Sequence, residues 1–64
     1  MIIRISAEFF TGYVIFDEKL EIVLETAMQL RKIFRVYHLV TFDDVMKFGR
    51  DNAWKIEAIR GHAK

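Results

Sequence analysis

Apolar and polar residues alternate near the start of the chain, with apolar residues at positions 3, 5, 7 and 9. This period of two predicts a half-buried β-strand. A second run rich in β-branched and aromatic residues covers positions 13–16. Gly12 lies between the two runs and can adopt a positive φ at low cost. The pattern therefore predicts an N-terminal β-hairpin with a tight or bulged turn at Thr11 and Gly12.

The pattern changes to a helical period after Asp17. Asp17 stands where an N-cap belongs, acidic residues follow it, and basic residues end the segment, as the helix dipole favours. We therefore expect an amphipathic helix over residues 18–35. Ile22 and Ile33 form a second stripe on another side of this helix, which indicates contacts from two directions. The main apolar face comprises Leu20, Val23, Leu24, Ala27, Leu30 and Phe34.

The last third of the chain permits two interpretations. Residues 36–42 are β-branched and aromatic and predict a strand. Thr41 and Asp44 match a capping box, so a short helix is expected over 42–48, with a turn at Gly49 and a final strand over 53–60. The apolar spacing also fits one continuous helix over 42–60, although the glycine inside it would cost about 1 kcal/mol.

These elements together predict a single α+β domain over residues 1–64. Its order is hairpin, long helix, strand, short helix and C-terminal strand, with an antiparallel sheet that the long helix covers on one face. Apolar residues make up 53% of the 64 positions. A domain of this size buries only about 60% of the surface that its unfolded chain exposes. Part of the apolar surplus is therefore expected on a surface that meets another molecule.

The chain contains no cysteine, which removes disulfides and thiolate metal sites. Small domains draw extra stability from disulfides, metals or oligomerisation, and the absence of cysteine leaves oligomerisation as the expected source. The N-terminal apolar run is short and interrupted by Arg4, unlike a signal peptide. No run approaches the ~18 apolar residues of a membrane span. We therefore expect a cytoplasmic protein without membrane contact.

Residues that carry catalysis are few and scattered. His38 and His62 lack the spacing of a metal site. Asp43 and Asp44 would lie about 100° apart on a helix, where capping and solvation account for them. Ser6 has no base near it in the sequence. We therefore expect no enzyme activity, no cofactor, no metal and no small-molecule substrate.

The net charge of +1 conceals an asymmetry between the two halves of the chain. Residues 1–30 hold two basic and five acidic side chains, whereas residues 31–64 hold eight basic and four acidic ones. If the final strand lies beside the end of the long helix, six side chains can form one basic patch for nucleic acid or an acidic protein. Compensation of the helix dipole and ordinary surface charge also account for these six basic side chains. These candidates are Arg31, Lys32, Arg35, Arg50, Lys55 and Arg60.

A second set of candidates is apolar. Four aromatic residues have no clear place in the core from the alternation, and two isoleucines form the second stripe of the long helix. Aromatic residues are enriched at the energetic centres of protein interfaces. The candidate partner-binding residues are Phe10, Tyr13, Ile22, Ile33, Tyr37 and Trp54.

Two classes of function fit these observations. The first is a non-catalytic interaction module, either a homodimer or a binder of a partner protein. Small regulators and phage or virus inhibitors of host proteins provide the analogy.

The second class is a small DNA-binding transcriptional regulator. A short strand followed by two helices resembles the outline of ribbon-helix-helix proteins, in which Arg4, Ser6 and Glu8 would face the major groove. The second β-run before the first helix departs from that outline, and Glu8 would face phosphates. A strand over 53–60 excludes this fold, and a continuous helix over 42–60 would favour it.

Overall fold

An antiparallel sheet and two helices form the structure, a computed structural model that describes residues 1–59. Within these residues the elements are β1 (Ile2–Ser6), β2 (Thr11–Phe16), β3 (Ile22–Glu25), α1 (Met28–Val36), α2 (Phe42–Asp51) and β4 (Lys55–Ile59). The strand order is β3-β2-β1-β4. The predicted α+β class with an antiparallel sheet is confirmed.

Both helices lie on the same face of the sheet, which we call the inner face. Alternate residues of β1 and β2 point to this face and pack against apolar residues of α1 and α2. Alternation along the strands leaves the intervening side chains on the opposite face, which we call the outer face. The buried core of the described residues comprises Ile3, Ile5, Val14, Phe16, Leu30, Phe34 and Val45.

The N-terminal hairpin is confirmed, but its turn lies before Gly12. The N–H of Ala7 donates to the carbonyl of Phe10 at 2.8 Å, and Gly12 lies within β2 without a positive φ. A Cβ at Gly12 would lie 2.7 Å from the Cβ of Ala27 and 2.8 Å from Cδ1 of Leu30. Glycine is therefore required here because α1 approaches the sheet closely, not because the chain turns.

The predicted helix over 18–35 is wrong in its first ten residues. Helix α1 begins at Met28, and residues 22–25 form strand β3, in which Ile22 lies opposite Phe16. The apolar run at positions 22–24 fits a buried or half-buried strand as well as a helix. Pairing with β2 satisfies its backbone groups through long-range contacts that the helical period does not reveal.

Asp17 closes a turn instead of starting a helix. One oxygen of its carboxylate accepts hydrogen bonds from the N–H groups of Lys19 at 2.9 Å and Glu21 at 3.0 Å. Leu20 within this turn has a φ of 62°. Aspartate is favoured both at helix N-caps and in such Asx turns, so this residue alone does not distinguish the start of a helix from a turn.

The predicted strand over 36–42 is also wrong. Helix α1 extends to Val36, and the chain then turns at His38, where φ is 57°. Strand pairing in this segment is limited to an isolated bridge between Thr41 and Glu21. The β-branched residues therefore complete a helix and a connection, and tertiary packing overrides their β-propensity.

The predicted capping box is confirmed at the start of α2. The Thr41 hydroxyl accepts from the N–H of Asp44 at 3.2 Å, and the Asp44 carboxylate accepts from the N–H of Thr41 at 3.0 Å. Helix α2 continues through Gly49 to Asp51, beyond the predicted end at residue 48. A Cβ at Gly49 would lie 2.7 Å from Cδ1 of Ile56, so α2 packs closely on β4.

The alternative of one helix over 42–60 is wrong. The chain leaves α2 through Asn52 and Ala53, where φ at Ala53 is 59°, and then forms β4. The predicted final strand over 53–60 is confirmed over Lys55–Ile59. Strand β4 pairs with β1, so β1 lies inside the sheet between β2 and β4.

The capping box predicts a pH dependence of stability. Hydrogen bonds from the N–H groups of Val40, at 2.9 Å, and Thr41 lower the pKa of the Asp44 carboxyl below its ordinary value of 3.8. The stabilisation is therefore complete above the unfolded pKa and is lost as the pH falls through the folded pKa. We expect Asp44→Asn to reduce the loss of unfolding free energy between about pH 6 and pH 3, measured by urea denaturation.

Asp43→Asn is the matched control, because Asp43 is an exposed residue in the same first turn. It removes the same charge without removing a capping acceptor. Equal pH profiles for the two variants would contradict a specific role for the Asp44 carboxylate.

Candidate interaction surfaces

A row of apolar side chains crosses the outer face of the sheet. Ile2 of β1 lies opposite Ile15 of β2 and Ile59 of β4, and Ile15 lies opposite Leu24 of β3. The four residues therefore align in register across all four strands. We call them the apolar row. Leu24 is 47% exposed, and the other three are half-buried although the helices lie on the opposite face.

The rest of the outer face is polar. In the next row, Tyr13 lies opposite Arg4, and Arg4 lies opposite Glu57. Nε of Arg4 donates to the Glu57 carboxylate at 3.1 Å, and Nη2 donates to the same oxygen. These bonds raise the pKa of Arg4 and lower the pKa of Glu57, because both favour the charged forms. The outer face is thus apolar at one end and polar towards the other.

Three of the six candidate partner-binding residues lie in one aromatic chain. The ring of Trp54 contacts Phe10 at 5.7 Å between centroids and Phe48 at 5.1 Å, and Phe48 contacts Tyr37 at 4.8 Å. Phe10 and Trp54 pack against the buried core, whereas Tyr37 is 58% exposed. These rings connect the hairpin turn, α2, the start of β4 and the end of α1.

The other three candidates lie elsewhere. Ile22 and Ile33 are half-buried and pack against the core. Tyr13 lies on the outer face in the row next to the apolar row and is 39% exposed. The structure therefore does not bring the six candidates onto one surface. The four residues of the apolar row lie on four different strands, and only the strand register, which the sequence does not display, aligns them.

The candidate basic residues are distributed over three elements. Arg31, Lys32 and Arg35 lie on α1, Arg50 lies in the last turn of α2, and Lys55 begins β4. Helix α1 contacts β3 and α2 contacts β4, at opposite edges of the sheet. Arg60 and His62 lie outside the described residues. The five described candidates therefore lie on three elements, and the merged patch stays a prediction.

A groove of about 440 Å³ opens between β3, α1 and the connection before α2. Its surface combines apolar side chains with two arginines and one glutamate. Nε of Arg31 lies 4.0 Å from the carboxylate of Glu25, a half-buried residue. The lining residues are Ile22, Glu25, Arg31, Phe34, Arg35, Leu39 and Val40.

Residues 1–59 contain no group of three His, Asp or Glu side chains placed to hold a metal ion. In the same range, neither helix has the length and apolar character needed to cross a membrane. Comparisons with protein families, with curated proteins and with solved structures found no match.

Proposed function

We propose that the protein is a non-catalytic interaction module that binds a second copy of itself through the outer face of its sheet. The observation that carries this proposal is the apolar row, whose members Ile2, Ile15, Leu24 and Ile59 align in register. An antiparallel sheet with one face in water normally carries polar residues on that face. An aligned apolar row indicates that part of this face is covered in the working state.

A second copy of the chain is a suitable partner, because in a dimer with two-fold symmetry both copies contribute the same surface patch to the contact. The apolar row then meets an equivalent row. The adjoining row carries Arg4 and Glu57, one charge of each sign, so the approaching faces do not carry a net charge there. Dimer formation can also supply stabilisation that a chain without cysteine does not draw from disulfides.

The size of the face sets the expected affinity. Four strands spaced about 4.8 Å apart, each with about five residues, present a face of roughly 300 Å². Stable dimers bury about 800 Å² on each partner. We therefore expect a weak dimer whose population changes with protein concentration in the micromolar to millimolar range.

The β4 edge is a second route to self-association, because β4 is an outer strand of the sheet. Its outer-face side chains Lys55 and Glu57 are charged, and charged residues on an edge strand oppose edge-to-edge pairing. This favours the apolar row as the contact surface.

Ile15→Lys should weaken the dimer about tenfold or more, because it places a charge at the centre of the apolar row. The measurement is sedimentation equilibrium over a hundredfold concentration range, with circular dichroism to verify the fold. Thr11→Lys is the matched control, since Thr11 lies on the same strand and face but at its polar end. It should leave the dimer constant within about twofold.

Two results would overturn the proposal. A wild-type chain that remains monomeric at millimolar concentration would exclude self-association as its function. A dimer that tolerates Ile15→Lys but is lost in Ala58→Pro would assign the contact to the β4 edge, because Ala58 is an exposed residue of that strand.

DNA binding of the ribbon-helix-helix type receives less support. That fold requires the first strand to pair with a second copy, whereas β1 pairs on both sides within its own sheet. The strand at Lys55–Ile59 also stands where the second helix would continue.

A further inference from the structure

A short segment of the chain pairs with the start of β3 as an incomplete fifth strand. The N–H of Ile22 donates to the carbonyl of Val40 at 2.9 Å, and the N–H of Phe42 donates to the carbonyl of Leu20 at 2.8 Å. The bridge between Glu21 and Thr41 lies between these bonds. Residues 40–42 thus pair with the start of β3. The pairing does not extend to the preceding residues, which connect to the end of α1, and the chain continues from Phe42 into α2.

The remaining edge of β3 is open to the groove. Thr26 donates its N–H to Tyr13 at 3.0 Å, and Leu24 lies opposite Ile15 in the same ladder. Glu25 lies between Leu24 and Thr26. The backbone groups of successive residues in an antiparallel pair point alternately towards and away from the partner strand, so the N–H and carbonyl of Glu25 point away from β2. Among residues 1–59, no strand pairs with this part of β3. The groove therefore offers a backbone position where an extended segment can continue the interrupted strand.

The side chains around this position define what such a segment should carry. Ile22, Phe34 and Leu39 provide apolar surface. Arg31 and Arg35 stand on α1 and contribute two positive charges, against the single negative charge of Glu25. The groove has a net charge of about +1 by this count of its lining residues, so it favours carboxylates together with apolar side chains.

We propose that this groove binds an extended acidic peptide that adds as a strand to β3 beneath α1. Peptides bind sheet edges in this way because main-chain hydrogen bonds supply affinity and alternate side chains supply specificity. The apolar side chains of the peptide contact Ile22, Phe34 and Leu39, and its carboxylates lie near Arg31 and Arg35. This site is separate from the apolar row, so it goes beyond self-association.

Nuclear magnetic resonance titration of the full chain tests the proposal. The probe is a five-residue peptide of alternating aspartate and valine, blocked at both ends, compared with a lysine and valine peptide of equal length. We expect shifts of the amide signals of Glu25, Leu39 and Val40, and a dissociation constant in the high micromolar to millimolar range that rises with salt. The basic peptide should bind at least tenfold more weakly.

Charge variants distinguish the groove from general electrostatic attraction. Arg35→Glu should weaken the acidic peptide at least tenfold. Lys32→Glu makes the same change at an exposed position of the same helix outside the groove lining, and it should change affinity less than threefold. Equal losses in the two variants, equal binding of both peptides, or an absence of shifts at millimolar peptide would each overturn the proposal.

Two further arms identify the ligand class and separate this proposal from self-association. A twelve-base-pair DNA duplex that shifts the same signals more strongly than the acidic peptide would assign the groove to phosphate backbones and overturn the peptide assignment. The titration is repeated on Ile15→Lys, in which the dimer is expected to be weakened about tenfold or more. Binding that persists in this variant supports a groove complete within one chain, and binding that disappears contradicts it.

Discussion

Leu30→Ala should lower the free energy of unfolding by about 2–5 kcal/mol. Leu30 is fully buried in the core between α1 and the sheet. The substitution removes three carbon atoms of buried side chain and leaves a cavity that the small core fills incompletely. A domain of 64 residues has about 3–10 kcal/mol of total stability, so this single change removes a large part of it. Urea denaturation followed by circular dichroism measures the loss.

Met28→Ala is the matched control, because Met28 lies on the same helix and is 73% exposed. It should change the stability by no more than about 0.5 kcal/mol. A loss below about 1 kcal/mol for Leu30→Ala would show that α1 does not pack on the sheet through this residue. If Leu30→Ala is too unstable to purify, Leu30→Met tests the same site at a cost below about 1.5 kcal/mol.

The same experiment separates the observed fold from a helix over 18–35. In such a helix, Leu20, Val23 and Leu24 would share the buried stripe of Leu30, so truncating any of them would be costly. In the structure these three residues are 39%, 61% and 47% exposed. Their alanine variants should therefore be much milder than Leu30→Ala.

Features encoded by neighbouring residues could be predicted from the sequence. The alternation of the first strand, the capping box at Thr41 and Asp44, and the strand after the turn all depend on short-range chemistry, and all three are present. Segment 18–27 could not be assigned in this way. An aspartate side chain accepts the same kind of backbone hydrogen bond in a turn and at the start of a helix, so Asp17 does not distinguish the two. The pairing of β3 with β2 determines which structure forms.

The candidate surfaces show the same division. Ile22, Ile33, Phe10 and Trp54 were recognisable as apolar residues beyond a simple alternation, and they pack against the core. The apolar row was not recognisable, because Ile2, Leu24 and Ile59 belong to three strands and only register aligns them. The groove likewise depends on where residues 40–42 leave β3, which no local pattern specifies.

Gly12→Ala should lower the free energy of unfolding by about 1–3 kcal/mol. The new Cβ would lie 2.7 Å from the Cβ of Ala27, which is fixed to the backbone and can move only with the start of α1. The second close atom, Cδ1 of Leu30 at 2.8 Å, ends a flexible side chain but lies in the packed core. Gly12 lacks a positive φ, so this cost arises from the approach of α1 to β2 and not from backbone strain.

A second substitution tests this cause directly. Ala27→Gly removes the atom nearest to the new Cβ, at the N-cap of α1, where glycine is tolerated. The Gly12→Ala/Ala27→Gly double variant should therefore recover at least half of the loss, and a double-mutant cycle by urea denaturation measures the coupling. Gly49→Ala is the control for a glycine in close contact, because the nearest atom there is the flexible Cδ1 of Ile56 and alanine favours helix α2 by about 1 kcal/mol. It should cost less than Gly12→Ala. Additive losses in the cycle would contradict a steric contact between α1 and β2. The loss in Gly12→Ala would then arise from the conformation of β2 itself.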